Sequence, residues 1–249
     1  MTNIGVFDSG LGGLSVLNEL VKKKNANYYY LGDSLRAPYG SRPQKEIIKF
    51  SDEIINFLEK YNIDRYIIAC NTISTLATDF LQEKYQKPFY PITKAGLENA
   101  LLFKGDYLVL GTQATVDSHF YKNSIEKLSS SKVYEIAAPN LVKLIENGDI
   151  EGPLMDKELK SYLEIANQKQ IPNIILGCTH YPIIRNSIEK NLNYNANIIN
   201  PASNIGKKIN FEDSDDISVN IFMTKVNEEN KKLIDKILDC NYYLEEKEI

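Results

Sequence analysis

Two short apolar runs, each ending in a cysteine, constrain this chain more than any other feature. Tyr66-Ile67-Ile68-Ala69 runs into Cys70-Asn71-Thr72, and Ile174-Ile175-Leu176-Gly177 runs into Cys178-Thr179-His180. Uninterrupted apolar runs of this length, followed by a hydroxyl residue at a helix start, predict strands buried on both faces that turn directly into helices. Each thiol then stands at the carboxyl end of a strand and the amino end of a helix. Ligands bind at that place in open α/β sheets. Backbone N–H groups and the helix dipole there lower a thiol's pKa. Two such cysteines at equivalent positions in two halves of one chain predict a facing pair of thiols.

The rest of the chain fits the same pattern. Ile4–Asp8 reads as a buried strand, Ser9-Gly10-Leu11-Gly12-Gly13 as a turn, and Leu14, Val16, Leu17 and Leu20 follow helical spacing. Tyr28–Asp33 is a second strand, 34–42 a loop, and Pro43 opens a helix with Ile47, Ile48, Ile54, Ile55 and Leu58 as its stripe. The Cys70 strand leads into a helix over about 72–86, and Phe89–Ile92 is a short strand. A helix begins at Thr93. Strands are predicted at 106–112, 132–138, 197–200, 217–223 and 241–244, and helices after 112, at 139–147, at 155–170 and from Pro182. Gly148 is read as a helix stop. Leu233, Ile234, Ile237 and Leu238 lie on one helical face.

Alternating strands and helices predict an α/β fold with parallel sheets. Val6-Phe7-Asp8 ends 62 residues before Cys70, and Leu110-Gly111-Thr112 ends 66 residues before Cys178. This faint repeat predicts two pseudo-symmetric lobes, each a mostly parallel sheet flanked by helices, with the site in the cleft between them. The expected division puts 1–92 in the Cys70 lobe and 93–205 in the Cys178 lobe, with the chain leaving the second unit after Ser203.

At 249 residues, with 43% apolar and 25% charged residues, the chain has the composition of an ordinary soluble globular protein. A net charge of −4 gives no electrostatic argument for nucleic acid or membrane partners. The start has no signal-peptide pattern, and no stretch approaches the ~20 apolar residues of a membrane span. Three scattered cysteines do not form a disulfide framework, so the expected location is the cytoplasm with thiols reduced.

A lone cysteine after an apolar strand is often only a small buried hydrophobe. Here both are followed by polar residues, whereas Cys240 has no polar neighbours in sequence and is read as structural. A zinc site wants three or four ligands, and only His119 and His180 are present, without Cys-x-x-Cys. A redox pair usually sits closer in sequence. The remaining reading is two-base proton transfer, in which one thiolate takes a proton from one face of a carbon and the other thiol delivers one to the opposite face. Cysteine suits this, with an unperturbed pKa of ~8.5. Asp8 and His180 are the candidate proton partners, against readings as a helix cap and a surface histidine. Glu146, at a helix end, could assist near Cys178. The glycine-rich turn is neither Gly-x-Gly-x-x-Gly nor a P-loop. It is read as backbone N–H groups approaching a small anion. Cys178 to Arg185 has the wrong spacing for a phosphatase loop. A Cys–His hydrolase and an amino-acid-binding module remain as alternatives.

Five stretches together resemble the glutamate racemases of the cofactor-independent aspartate/glutamate racemase superfamily. They are Phe-Asp-Ser-Gly-Leu-Gly-Gly (7–13), Ala-Pro-Tyr-Gly (37–40), Ala-Cys-Asn-Thr (69–72), Gly-Thr-Gln-Ala-Thr (111–115) and Leu-Gly-Cys-Thr-His-Tyr-Pro (176–182). The Gly-Cys-Thr-His form points to the glutamate branch. The resemblance implies interconversion of L- and D-glutamate without pyridoxal phosphate or metal, supplying D-glutamate for peptidoglycan, in a protein that is usually a homodimer. It implies that Cys70 and Cys178 are the acid/base thiols, Cys70 meeting the α-proton of D-glutamate and Cys178 that of L-glutamate, with Asp8 and His180 assisting. By the same resemblance Asp8, Ser9, Tyr39, Gly40, Asn71, Thr72, Thr112, Thr115, Thr179 and His180 bind substrate. The resemblance also implies that the carboxyl-terminal segment, 206–249, returns to pack on the Cys70 lobe of 1–92, although the tail after about Ser203 carries no matching motif.

Overall fold

Parallel strands buried on both faces must be apolar at nearly every position, and the central strands here are. The computed structural model describes residues 2–209 and 216–249. Among them are ten strands: β1 Asn3–Asp8, β2 Asn27–Gly32, β3 Arg65–Ile68, β4 Phe89–Pro91, β5 Tyr107–Gly111, β6 Val133–Ala137, β7 Asn173–Gly177, β8 Asn197–Ile199, β9 Ser218–Met223 and β10 Tyr243–Glu246. They form a six-stranded sheet in the order β10-β9-β2-β1-β3-β4 and a four-stranded sheet in the order β6-β5-β7-β8. Every ladder between them is parallel.

The repeat is visible in these orders. β2-β1-β3-β4 and β6-β5-β7-β8 are the same arrangement, so β3, which precedes Cys70, corresponds to β7, which precedes Cys178. The registers are offset by one residue: Phe7 pairs with Ile68, two before Cys70, and Gly111 pairs with Gly177, one before Cys178. In each half the strand before the cysteine lies beside the first strand of its unit, where the strand order reverses and a crevice opens at the carboxyl ends.

Alternate side chains of each sheet feed two separate cores. In the six-stranded sheet, Ile4, Val6, Tyr28, Tyr30 and Ile67 pack with Leu14, Leu17, Leu20 and Ile234. Phe7, Leu31, Tyr66 and Ile68 pack on the other face with Ile47, Ile54, Ile55 and Leu58 of the helix Gln44–Leu58. In the four-stranded sheet, Leu108, Leu110, Ile174 and Leu176 pack with Leu141, Val142 and Ile145, and Tyr107, Val109 and Ile175 with Tyr121 and Ile125. The result is two parallel sheets flanked by helices.

The structure departs from the sequence expectations in several places. The single helix expected over 72–86 is two, Asn71–Leu76 and Thr78–Tyr85, broken at Ala77. The cause is side-chain competition with the backbone. Thr78 Oγ1 donates to Ser74 O at 2.7 Å, and Ser74 Oγ donates to Ile68 O at 3.1 Å, tying the first helix to the end of β3. The helix expected over 155–170 bends at Leu163 into Pro153–Tyr162 and Glu164–Lys169, while the buried Leu163 side chain stays in the core. Pro182 lies in a tighter turn, Tyr181–Ile184, ahead of the helix Arg185–Lys190. The terminal strand begins two residues later than expected, at Tyr243.

The carboxyl-terminal segment, which carries no matched motif, supplies β9 and β10, near the strands expected at 217–223 and 241–244, to the edge of the six-stranded sheet. Residues 210–215 of the division placed at 206–249 lie outside the described residues. Phe222 of β9 is buried and stacks on Tyr61 at 5.0 Å and edge-on to Phe57 at 5.2 Å. Phe222→Ala should therefore lower stability by about 3–5 kcal/mol in urea unfolding. A loss below about 1 kcal/mol would show that β9 is only loosely attached to the sheet.

Candidate active site

Both sheets end at one cleft. Cys70 follows β3 in extended conformation and caps the helix Asn71–Leu76; Cys178 follows β7. Both thiols are buried and unpaired as disulfides. The cleft has a volume of about 360 Å³ including its mouth. One wall is Ser9, Ala37, Pro38, Tyr39, Gly40, Cys70, Asn71 and Thr72; the other is Thr112, Val142, Glu146, Cys178, Thr179 and His180.

The two walls are joined by hydrogen bonds between short side chains. Thr72 Oγ1 and Thr112 Oγ1 lie 2.9 Å apart, and Tyr121 Oη donates to Asn71 Oδ1 at 3.2 Å. Thr179 Oγ1 donates to Asp8 Oδ1 at 3.3 Å. The backbone N–H of Ala114 donates to Gly40 O at 3.0 Å. The glycines of the 9–13 turn make this approach possible. A Cβ on Gly12 would collide with Thr179 Oγ1 and stand 2.7 Å from His180 Nδ1, and one on Gly13 would stand 2.5 Å from Asp8 Cβ. Gly10, Gly12 and Gly13 do not line the cleft, and Gly10 N–H donates to Asp8 Oδ2 at 3.0 Å. The turn serves close packing between halves rather than the anion cradle expected from sequence.

Most of the candidate residues are brought together. Asp8 and Thr115 are not on the cleft wall. Asp8 is fully buried behind the turn, and Thr115 Oγ1 stands 2.9 Å behind Thr112 Oγ1. Tyr39 lines the cleft, but its hydroxyl donates to Asp33. His180 is buried rather than a surface histidine, and Glu146, at the end of the helix Pro139–Glu146, reaches it. Ala37, Pro38 and Val142 line the cleft without having been singled out. Ala37 and Pro38, joined by a cis peptide, were within a matched stretch, and Val142 sits one helical turn before Glu146.

The ionisable neighbours set the two walls apart. Burial pushes the Cys70 thiol up to about 12, the Asp8 carboxylate adds to this, and the Ile73 N–H and Ser9, 3.5 Å from the sulfur, only partly oppose it. The helix amino terminus therefore does not win, contrary to the sequence expectation of a lowered pKa. Asp8 is itself raised by burial, against the pull of His180, the Gly13 and Gly10 N–H groups and Thr179. On the other wall, His180 Nδ1 stands 3.7 Å from Cys178 Sγ. Its Nε2 stands 3.2 Å from Glu146 Oε1, near enough for an ion pair but without an aligned hydrogen bond. Burial alone would lower the imidazole, yet Cys178 and Glu146 outweigh it and carry it to about 10. His180 is thus an imidazolium at neutral pH, within proton-transfer reach of Cys178. Among the described residues no group of three or more His, Cys, Asp or Glu side chains is arranged to hold a metal ion.

The sequence model of the family described as Asp/Glu/Hydantoin racemase matches residues 4–204. The chain belongs to this racemase family. Its glutamate racemase relatives make it an isomerase. It is 37% identical to a glutamate racemase of Persephonella marina over 99% of this chain and 97% of that one. Among solved structures it is similar to the glutamate racemase of Francisella tularensis in complex with D-glutamate. There the identity is 31%, the TM-score 0.88, and the coverage 99% of this chain and 97% of that one. A glutamate racemase isoform of Bacillus anthracis has 28% identity and a TM-score of 0.92, covering 100% and 98%.

The raised His180 pKa has a consequence for stability. The imidazolium is favoured in the folded state, so its contribution is fully present below the unfolded value of 6.5 and is lost as pH rises through about 10. Unfolding free energy of the wild type should fall across that window, and His180→Gln should flatten the fall. Equal slopes in the two proteins would show that His180 is not held charged.

Proposed function

We propose that this chain interconverts L- and D-glutamate, without a cofactor, by two-base α-proton transfer between Cys70 and Cys178. The observation that carries the reading is the cleft itself: one thiol from each half, each with a separate ionisable neighbour. The names of the relatives supply the amino acid, one solved relative holds D-glutamate, and here Ser9, Asn71, Thr72, Thr112 and Thr179 bring polar side chains to the cleft wall.

In the reaction one cysteine, as thiolate, takes the α-proton, leaving a planar carbanion between the walls. The opposite cysteine, as thiol, delivers a proton to the other face, and the roles reverse in the other direction. His180 takes or returns the proton of Cys178, with Glu146 holding its charge. Asp8 acts on the Cys70 side through its charge, while Ser9 meets the sulfur directly. The short polar side chains and backbone groups of Asn71, Thr72, Thr112, Thr179 and Gly40 take up the carboxylates and amine, with Thr115 supporting Thr112. Burial holds Cys70 neutral, and the ammonium group of a bound amino acid near the sulfur would favour its thiolate.

The product D-glutamate would supply peptidoglycan synthesis, and a reducing cytoplasm suits three free thiols. A homodimer is the assembly implied by the family resemblance. No helix among the described residues is long and apolar enough to cross a membrane.

The short Cys178–His180 contact also fits a cysteine hydrolase, in which Cys70 would be dispensable. One experiment separates the readings. Protein dialysed against chelator and carbonyl reagents is mixed with L-glutamate in deuterated water, without added cofactor, and followed by optical rotation and α-deuterium content. Racemisation with deuterium at the α-carbon is expected. Cys70→Ala and Cys178→Ala should each lose at least about 10²–10⁴-fold in rate with circular dichroism unchanged, while Cys240→Ala stays near wild type. Full activity in Cys70→Ala, or activity that returns only on adding metal, would refute the proposal.

The rate should also describe a bell in pH, since one thiol must be ionised and the other protonated. A profile that climbs to a plateau and stays there at high pH would indicate a single essential base.

A further inference from the structure

The wall made by Ala37–Gly40 is held from outside the cleft by the carboxyl-terminal segment. Asp33, directly after β2, is a fully buried carboxylate. Its Oδ2 accepts from Tyr39 Oη and, at 2.5 Å, from Arg36 Nε. Its Oδ1 accepts from Thr224 Oγ1 at 2.8 Å, a residue 191 positions later in sequence, directly after β9. The same Thr224 oxygen accepts from the Leu35 N–H at 2.9 Å. Next to it, Ser34 Oγ donates to Lys225 O at 2.7 Å and accepts from Lys225 N–H at 3.0 Å. Arg36 is also paired with Glu53 and lies 4.1 Å over the Phe50 ring, against which Tyr39 packs at 5.5 Å.

We propose that Thr224, acting through Asp33 and Leu35, is a positioning residue for substrate: it fixes the 34–40 loop whose Ala37–Gly40 stretch forms the cleft wall. The role rests on the glutamate reading of the cleft. Tyr39 is then oriented by Asp33 and offers its ring and backbone, not its hydroxyl, to the cleft. The two thiols follow β3 and β7, which hydrogen-bond to none of Asp33, Ser34, Leu35, Thr224 and Lys225; Tyr39 shares an apolar core with Cys70, so loosening the network shifts the wall more than the proton-transfer groups. Removing the Thr224 hydroxyl takes the partner from a buried carboxylate oxygen and from the Leu35 N–H at once, and so releases the loop from β9.

Thr224→Val keeps the shape and deletes the hydroxyl. Its KM for glutamate should rise about tenfold, equivalent to about 1.4 kcal/mol, with kcat within about threefold of wild type, and Thr224→Ser should restore KM. Tyr39→Phe cuts the opposite side of Asp33, so its effect on KM should not multiply with that of Thr224→Val in the double variant. Calorimetric titration with D-glutamate reads the same wall without turnover. A Thr224→Val protein with a lowered Tm but unchanged KM and D-glutamate affinity would make Thr224 merely structural and overturn the proposal, as would fully multiplicative KM effects. If Thr224→Val does not fold, Ser34→Ala removes the neighbouring link to Lys225: KM should rise about threefold, and an unchanged KM overturns the proposal. An inactive wild type that still binds D-glutamate would fail the racemase reading alone, and the affinity comparison would then decide the positioning role. A wild type that does neither would end both.

Discussion

Thr179 donates to Asp8 across the seam between the two halves at 3.3 Å, and much of the site depends on that contact being possible. It joins the end of β1 to the residue after Cys178, and it forms only because Gly12 and Gly13 present no side chain where Thr179, His180 and Asp8 converge. A Cβ at Gly12 would push away Thr179 and His180 of the other half, and one at Gly13 would displace Asp8 and Tyr30 within its own. With the seam closed, Asp8 is cut off from water, both thiols are buried, and the Thr72–Thr112 and Asn71–Tyr121 bonds draw the remaining walls together. Glycine here provides closeness of approach, and burial of the ionisable groups follows from it.

That burial decides the electrostatics. A thiol at a helix amino end is ordinarily read as acidic, but desolvation and a nearby carboxylate outweigh one short helix at Cys70. The Cys178 wall has the opposite character, with an imidazolium between the sulfur and Glu146. The two halves repeat in strand order yet differ in charge. Thr72 and His180 occupy the same place relative to their cysteines, and only one of them can carry a proton. A reaction that needs one thiol charged and one neutral benefits from this asymmetry.

The fold was legible where local chemistry leaves little choice. Short β-branched apolar runs such as Ile67-Ile68 and Ile174-Ile175 favour buried strands, and a cysteine that follows each run marks the crevice. The residues in the matched stretches fall together for the same reason: Asn71, Thr72, Thr179 and His180 directly follow those strand ends. What was not legible depends on distant partners or on burial. The break at Ala77 is set by Thr78 and Ser74 competing for backbone groups. The raised Cys70 pKa needs knowledge of what covers the sulfur. Asp33 is visible as a carboxylate at a strand end, but its partner Thr224 lies in a tail without motifs. The glycine turn was read as facing a ligand because its composition permits that; only the packing shows Gly12 and Gly13 against protein.

The central claim is that the two thiols act on opposite faces of one α-carbon, and elimination tests this half by half. A glutamate analogue with a leaving group on the β-carbon loses it once the α-proton has been abstracted, so it needs only one base. With it, Cys70→Ser should retain elimination from the L-form far better than from the D-form, and Cys178→Ser should show the reverse. Equal loss for both enantiomers in both variants would contradict the account.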